Sequence, residues 1–344
     1  MNVVLQTSRP RLCEDVTQAV GEVPSVRLRR LTSVCQNVSC YLKLEGCNPG
    51  GSIKEKNAAF LVDQAELQGL LRPGGTIIES SSGNFGVGLA MLGASRGYRV
   101  IIVVDAKTTP HFRRLLQAYG AQLEEVREVD AAGSMQKARI ARATELAASI
   151  PGAWYPCQHY NPDNPAAHAH YTAREIEATF GARLDALVVG VSTGGQLSGL
   201  ARYLKPRYPH LKVVAVDVMG SAIFDTPVAP YKMTGIGLSF RPPNLDYEAI
   251  DSRYVVPEQL AYSTCHALAQ REGLLLGSSS GAIVAAGLHF AGQLPFGSRI
   301  AMINPDRGDR YLETIYNSEW LDQQGFELVP ADQLEGAIAS LRPL

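Results

Sequence analysis

Strand-like runs that end in a glycine- or serine-rich turn and hand over to a helix recur along this chain. That alternation limits the fold more than any other feature. A short run at 41–45 leads through Asn48-Pro49-Gly50-Gly51 into a helix predicted over 57–70. A strand at 76–79 leads through Ser80-Ser81-Ser82-Gly83-Asn84 into a helix over 85–96, which Gly97 ends. The run at 99–104 is almost continuously β-branched, as in a strand buried on both faces. Helices follow over 110–119 and from about 134 to 148. A second series has strands at 186–191, 213–217 and 299–304 and helices at 196–204, 258–272 and 282–291. An edge strand is expected near 23–26. Strands alternating with helices predict an α/β fold with mainly parallel sheets flanked by helices.

Prolines at 151, 156, 162 and 165 make 151–167 a loop-rich crossover and the natural domain boundary. The 344 residues suffice for two domains with substantial cores. A net charge of −1 leaves no basic footprint for nucleic acid and no polybasic membrane anchor. The longest apolar stretch, 282–294, is broken by Gly287, His289 and Gly292 and is expected as a buried helix, not a membrane span. Arg9, Arg11, Glu14 and Asp15 follow a very short apolar start, which argues against a signal peptide and for the cytoplasm. Among six cysteines, Cys35, Cys40 and Cys47 cluster loosely but lack metal-site spacing and a fourth ligand, so no metal is expected. His168 and His170 are expected as core or surface residues.

The heptapeptide 48–54 carries the chemistry. Asn-Pro-Gly-Gly is turn chemistry, and two glycines let the backbone approach a ligand closely. Lys54 is then placed at a helix entrance, beside the cation of Lys56. Both neighbours push it toward the neutral, nucleophilic amine. A surface turn with a solvated lysine is the alternative. Ser192-Thr193-Gly194-Gly195 lies where a strand hands over to a helix, a place where backbone N–H groups converge on an anion. No Walker lysine follows, so a fixed cofactor phosphate suits it better than a nucleotide triphosphate, and a plain tight turn stays open. Ser81-Ser82-Gly83-Asn84 has the same placement with hydroxyls added, which suits a substrate carboxylate. Gly277-Ser278-Ser279-Ser280-Gly281 is a third such loop. Ligands of α/β folds sit beyond the strand ends, where these loops gather.

These motifs resemble the β-family, or fold type II, of pyridoxal-phosphate enzymes, which includes cysteine synthase and cystathionine β-synthase. The family's NPxxSxK loop matches 48–54, its SGN loop 82–84, its glycine-rich phosphate loop 192–196 and its SSGA turn 279–282. The resemblance spans about 20–318. It implies two domains, a smaller one over 44–155 and a larger cofactor-binding one from 1–43 and 156–321, with 322–344 as an extension. It also implies a homodimer.

By the same resemblance, Lys54 links pyridoxal 5′-phosphate and moves the substrate's Cα proton. Asn84 holds the cofactor's 3′-oxygen, and Ser192, Thr193, Gly194, Gly195 and Gln196 hold its phosphate. Ser279 faces the pyridine nitrogen, and Ser81, Ser82, Gly83, Asn84 and Gln158 grip the substrate carboxylate. Departures are informative. Phe85 follows SGN, Gln196 ends the phosphate loop, Lys56 replaces an arginine, and 305–311 reads PDRGDRY. GNFG at 83–86, VSTxG at 191–195, GIGxS at 235–239 and PDRGDRYL at 305–312 together resemble the branch that joins O-phospho-L-serine to L-glutamate on the way to 2,3-diaminopropionate for siderophores. Cysteine synthesis from O-acetylserine or O-phosphoserine with sulfide is the alternative. A dianionic leaving group needs a cation, and Arg241, in the loop after the GIG motif, is the candidate clamp. An exposed loop arginine is the other reading of that residue.

Overall fold

The computed structural model describes residues 12–32, 35–127 and 135–344, and two sheets organise them. The larger has the order β1 (Ser25–Arg27), β2 (Ser39–Leu44), β10 (Arg299–Asn304), β7 (Ala186–Gly190), β8 (Lys212–Val218), β9 (Ser252–Val256). The β1–β2 pairing is antiparallel and the other four are parallel. The smaller sheet is parallel throughout, in the order β5 (Gln122–Val126), β4 (Arg99–Asp105), β3 (Thr76–Ser80), β6 (Ala153–Trp154). The expected α/β architecture with mainly parallel sheets is the observed one.

Apolar runs of the interior strands fill both faces of each sheet. In β7, Ala186 and Val188 enter the core built with α8 (Glu258–Ala267) and α9 (Ser278–Ala291). Leu187 and Val189 enter the opposite core, with α6 (Arg174–Phe180) and α7 (Gly195–Leu204). In the smaller sheet, Ile77, Val100 and Ile102 pack with α1 (Lys54–Leu67), α2 (Asn84–Arg96) and α3 (Pro110–Ala118). Ile78, Ile101 and Val103 pack with Ala143 of α4 (Gln136–Ser149).

Several boundaries differ from expectation for local reasons. Helix α1 starts at Lys54 because Glu55 turns back to satisfy the preceding amides. The crossover 151–167 is not loop throughout: α5 (Asp163–His168) begins inside it, and Pro165 is tolerated in a first turn. Arg9, Arg11 and Ser134, used above for the N-terminus and a helix start, lie outside the described residues. The C-terminal segment is docked. Leu321 of α10 (Ser318–Gln324), Leu334 and Ile338 of α11 (Leu334–Ala339), and Leu341 join the core against α8 and α9. Among the described residues, no helix is long and apolar enough to cross a membrane.

Candidate active site

Lys54 opens α1, and the loop before it is closed on itself. Gly51 has φ +89°, which a side chain would strain, and a Cβ there would lie 2.7 Å from Arg310 Nη2. Glu55 accepts from Gly50 N at 2.7 Å, Ser52 N at 2.8 Å and Ser52 Oγ at 3.1 Å. Ser52 Oγ in turn accepts from Lys54 N at 3.3 Å. Burial raises the Glu55 carboxyl to about 7, against the pull of those donors.

Burial brings the Lys54 amine down from 10.5 to about 8. Burial, and not the cation of Lys56 or the helix end expected from the sequence, is the cause of that shift. Lys56 Nζ lies 2.8 Å from both Glu45 and Glu175, and Lys43 Nζ lies 2.5 Å from Glu175. Its charge is neutralised on the spot.

Beyond β3, Ser81 Oγ accepts from Gly86 N at 2.9 Å and caps the first turn of α2. Its hydroxyl is thus engaged inside the loop, while Ser82, Gly83 and Asn84 remain partly exposed. Asn84 Nδ2 donates to Asp306 at 2.7 Å, and Asn84 Oδ1 accepts from Arg310. Gln158 is buried, its N–H on Glu79 at 3.3 Å and its carbonyl accepting from Asn164 at 2.7 Å. Burial raises Glu79 to about 8.

Residues 191–194 join β7 to α7, with Gly194 at φ +83° as the cap. The loop is tight: a Cβ on Gly194 would lie 2.5 Å from Leu245 N, and one on Gly195 2.0 Å from Asn164 Oδ1. Asn164 Nδ2 donates to Thr193 Oγ1 at 3.0 Å, and its Oδ1 accepts from Asn57 of α1 at 2.8 Å. One amide therefore ties this loop to the helix of Lys54. Across the cleft, a Cβ on Gly235 would lie 3.2 Å from Ser279 Oγ. Ser278 Oγ donates to Thr234 O at 3.3 Å and Ser192 Oγ to Gly237 O at 3.4 Å. The long connection between β8 and β9 thus borders the site.

Among the described residues, the buried polar atoms here without a hydrogen-bond partner include Ser279 Oγ, Gln196 Nε2 and His159 Nδ1. Unsatisfied buried groups are costly, and a polar ligand would satisfy them. A phosphate fits Gln196 and the N-terminus of α7, and a ring nitrogen fits Ser279. The residues present fit pyridoxal phosphate.

Motif reading missed several residues near the site. Arg139 is buried, 2.9 Å from Asp105 at the end of β4. His159 is held neutral, down to about 3, by burial and then by the charges of Arg139 and Lys54. Arg241 is engaged elsewhere. It pairs with Asp225 at 2.5 Å and lies over the Tyr247 ring, 4.3 Å from its centre, both side chains of the pair more than half exposed. His168 is fully buried and His170 packs against Phe60. The thiols of Cys35 and Cys40 lie 3.4 Å apart in the core, while Cys47 is exposed. Among the described residues, no group of three or more His, Cys, Asp or Glu could hold a metal ion.

The family model described as "Pyridoxal-phosphate dependent enzyme" matches residues 16–306. The chain is 37% identical over 332 residues to N-(2-amino-2-carboxyethyl)-L-glutamate synthase of Ralstonia nicotianae, covering 96% of each. It superposes on a cysteine synthase from Entamoeba histolytica with a TM-score of 0.88 and 30% identity, covering 98% of this chain and 99% of that one. The O-acetylserine-dependent cystathionine β-synthase of Helicobacter pylori gives 0.84 and 35%, covering 90% and 100%. The chain therefore belongs to the pyridoxal-phosphate-dependent enzymes, and within them to the β-replacement enzymes that include cysteine synthase and cystathionine β-synthase.

Proposed function

We propose that the enzyme joins O-phospho-L-serine to L-glutamate, giving N-(2-amino-2-carboxyethyl)-L-glutamate and phosphate, a step toward 2,3-diaminopropionate for a siderophore. The observation that carries this choice is the end-to-end likeness to the Ralstonia nicotianae synthase. The reading includes a cytoplasmic homodimer. It also includes a division into domains at 44 and 155, supported by a smaller sheet whose strands all fall between Thr76 and Trp154.

Pyridoxal phosphate, when bound, supplies the electron sink that lets bonds at an amino acid's Cα and Cβ break. Thr193, Gly194, Gly195 and Gln196, with Ser192 alongside, hold its phosphate, Ser279 meets its ring nitrogen and Asn84 its 3′-oxygen. Ser82 and Gly83, at the start of α2, hold the substrate carboxylate with Gln158; Ser81 shapes that loop from within. Lys54 takes the proton from Cα and returns it, which its depressed pKa suits near neutral pH. The departing phosphate needs a cation. Arg139 is the buried candidate and Arg241 the exposed one, and each is paired with an aspartate, Asp105 and Asp225.

Turnover with O-phosphoserine and either glutamate or sulfide tests the reading. The glutamate adduct should form with release of phosphate. Efficient cysteine formation with none of the adduct would move the enzyme to the cysteine synthases, a reading the Entamoeba histolytica likeness supports.

A further inference from the structure

Residues 304–311 touch every loop that carries a Lys54, Asn84 or Ser279 role. Ile53 N donates to Pro305 O at 2.8 Å, and Arg307 N to Gly51 O at 3.3 Å. Gly277 N donates to Asp306 O at 3.3 Å, and Asn304 Nδ2 to Ser280 Oγ at 2.7 Å. Two side chains of this stretch meet on Asn84. Arg310 donates through Nη1 to Asn84 Oδ1 and through Nη2 to the Gly50 carbonyl. Asp306 Oδ2 accepts from Asn84 Nδ2 and from the Tyr311 hydroxyl, each at 2.7 Å. Both Arg310 and Asp306 are buried.

A side-chain amide can turn over when its partners can both donate and accept. Neither partner here can do both. A guanidinium has donors only, and this carboxylate oxygen already accepts from two donors. The Asn84 amide therefore has one orientation, oxygen toward Arg310 and nitrogen toward Asp306. One Nδ2 hydrogen is used by Asp306, and the other is left to donate.

We propose that Arg310 and Asp306 are positioning residues that lock Asn84 so that it presents a donor, never an acceptor, to the cofactor's 3′-oxygen. This deepens the role given to Asn84 above and rests on it. A negatively charged phenolic oxygen is stabilised by an N–H and repelled by a carbonyl oxygen, so an amide free to flip would lose that selectivity. Through Gly50, Arg310 also sets the lock against the turn that carries Lys54.

The test uses holo-protein reconstituted with pyridoxal phosphate. It reads the cofactor dissociation constant and the pH midpoint of the visible band. Asn84→Ala should weaken cofactor binding roughly three- to tenfold, the effect of one lost hydrogen bond. It should also raise the midpoint, since the oxygen loses a donor and its neighbour holds its proton more tightly. Asp306→Asn and Arg310→Gln should move both readings the same way by a smaller factor, and Arg310→Lys should recover part of the loss. In an Asn84→Ala background neither change should add anything, because the residue they act through is gone. If Asn84→Ala moves both readings while Asp306→Asn and Arg310→Gln move neither, the positioning roles fail and Asn84 keeps its own. If Asn84→Ala moves neither, the role beneath them fails too. Should Asp306→Asn not fold, the Arg310 variants decide, and losses that add fully to Asn84→Ala would contradict the lock.

Discussion

Lys54 and Lys56 stand in the same turn of α1, and their surroundings are opposite. Lys56 is fully buried between two glutamates at 2.8 Å, and with Lys43 forms a cluster of two cations and two anions. Burial raises Glu175, yet Lys56 and Lys43 together hold it below the usual carboxylate range. Lys54 has no such partner among the described residues, and its pKa falls to about 8. A buried charge with a partner is structure; a desolvated amine without one is reactivity. The difference is set by Glu45 and Glu175, which lie on the side of α1 that Lys56 faces.

Replacing each lysine should separate the two roles. Lys54→Ala should abolish the cofactor's visible band and lower turnover by a factor of about 10²–10⁴, the range for a lost acid–base group, with circular dichroism unchanged. Lys56→Ala should instead leave a buried glutamate uncompensated and lower unfolding stability by roughly 3–5 kcal/mol in denaturant titrations. Equal losses of stability from both would erase the distinction. Lys54 also gives stability a pH dependence of known sign. Its folded pKa of about 8 lies below the ordinary 10.5, so between those values the unfolded chain binds more protons. Stability should therefore rise as the pH goes from about 8 to 10.5, and Lys54→Met should remove that rise. The smallest effect is expected at Arg241, half exposed on Asp225. Arg241→Ala should change the kinetics with O-phosphoserine less than about twofold, as for a surface pair. A thirtyfold loss would restore it as the phosphate clamp.

The sequence was most legible where structure is local. Interior strands such as β4 and β8 read as unbroken apolar runs because both of their faces are buried. The edge strands β5 and β9 did not, since each has one neighbour and carries polar residues such as Glu124, Glu125 and Arg253, and β6 is only two residues long. Glycine turns announced the loops for the same local reason. The residues that brace those loops could not be read this way. Asn84 meets Asp306 across 222 positions, and Asn57 meets Asn164 across 107. Nothing local in the sequence specifies such pairs. The pairing of Lys56 with Glu175, 119 positions away, is why the sequence named the wrong cause for the state of Lys54.

Borohydride reduction of the holo-protein between pH 6 and 10, followed by peptide mapping, tests that contrast most directly. The account predicts a pyridoxyl group on Lys54 alone among the eight lysines. With apoprotein and added cofactor, the rate of linkage should rise through a midpoint near pH 8. A label on Lys43, Lys56 or Lys107, or a midpoint near the 10.5 of a free lysine, would contradict it.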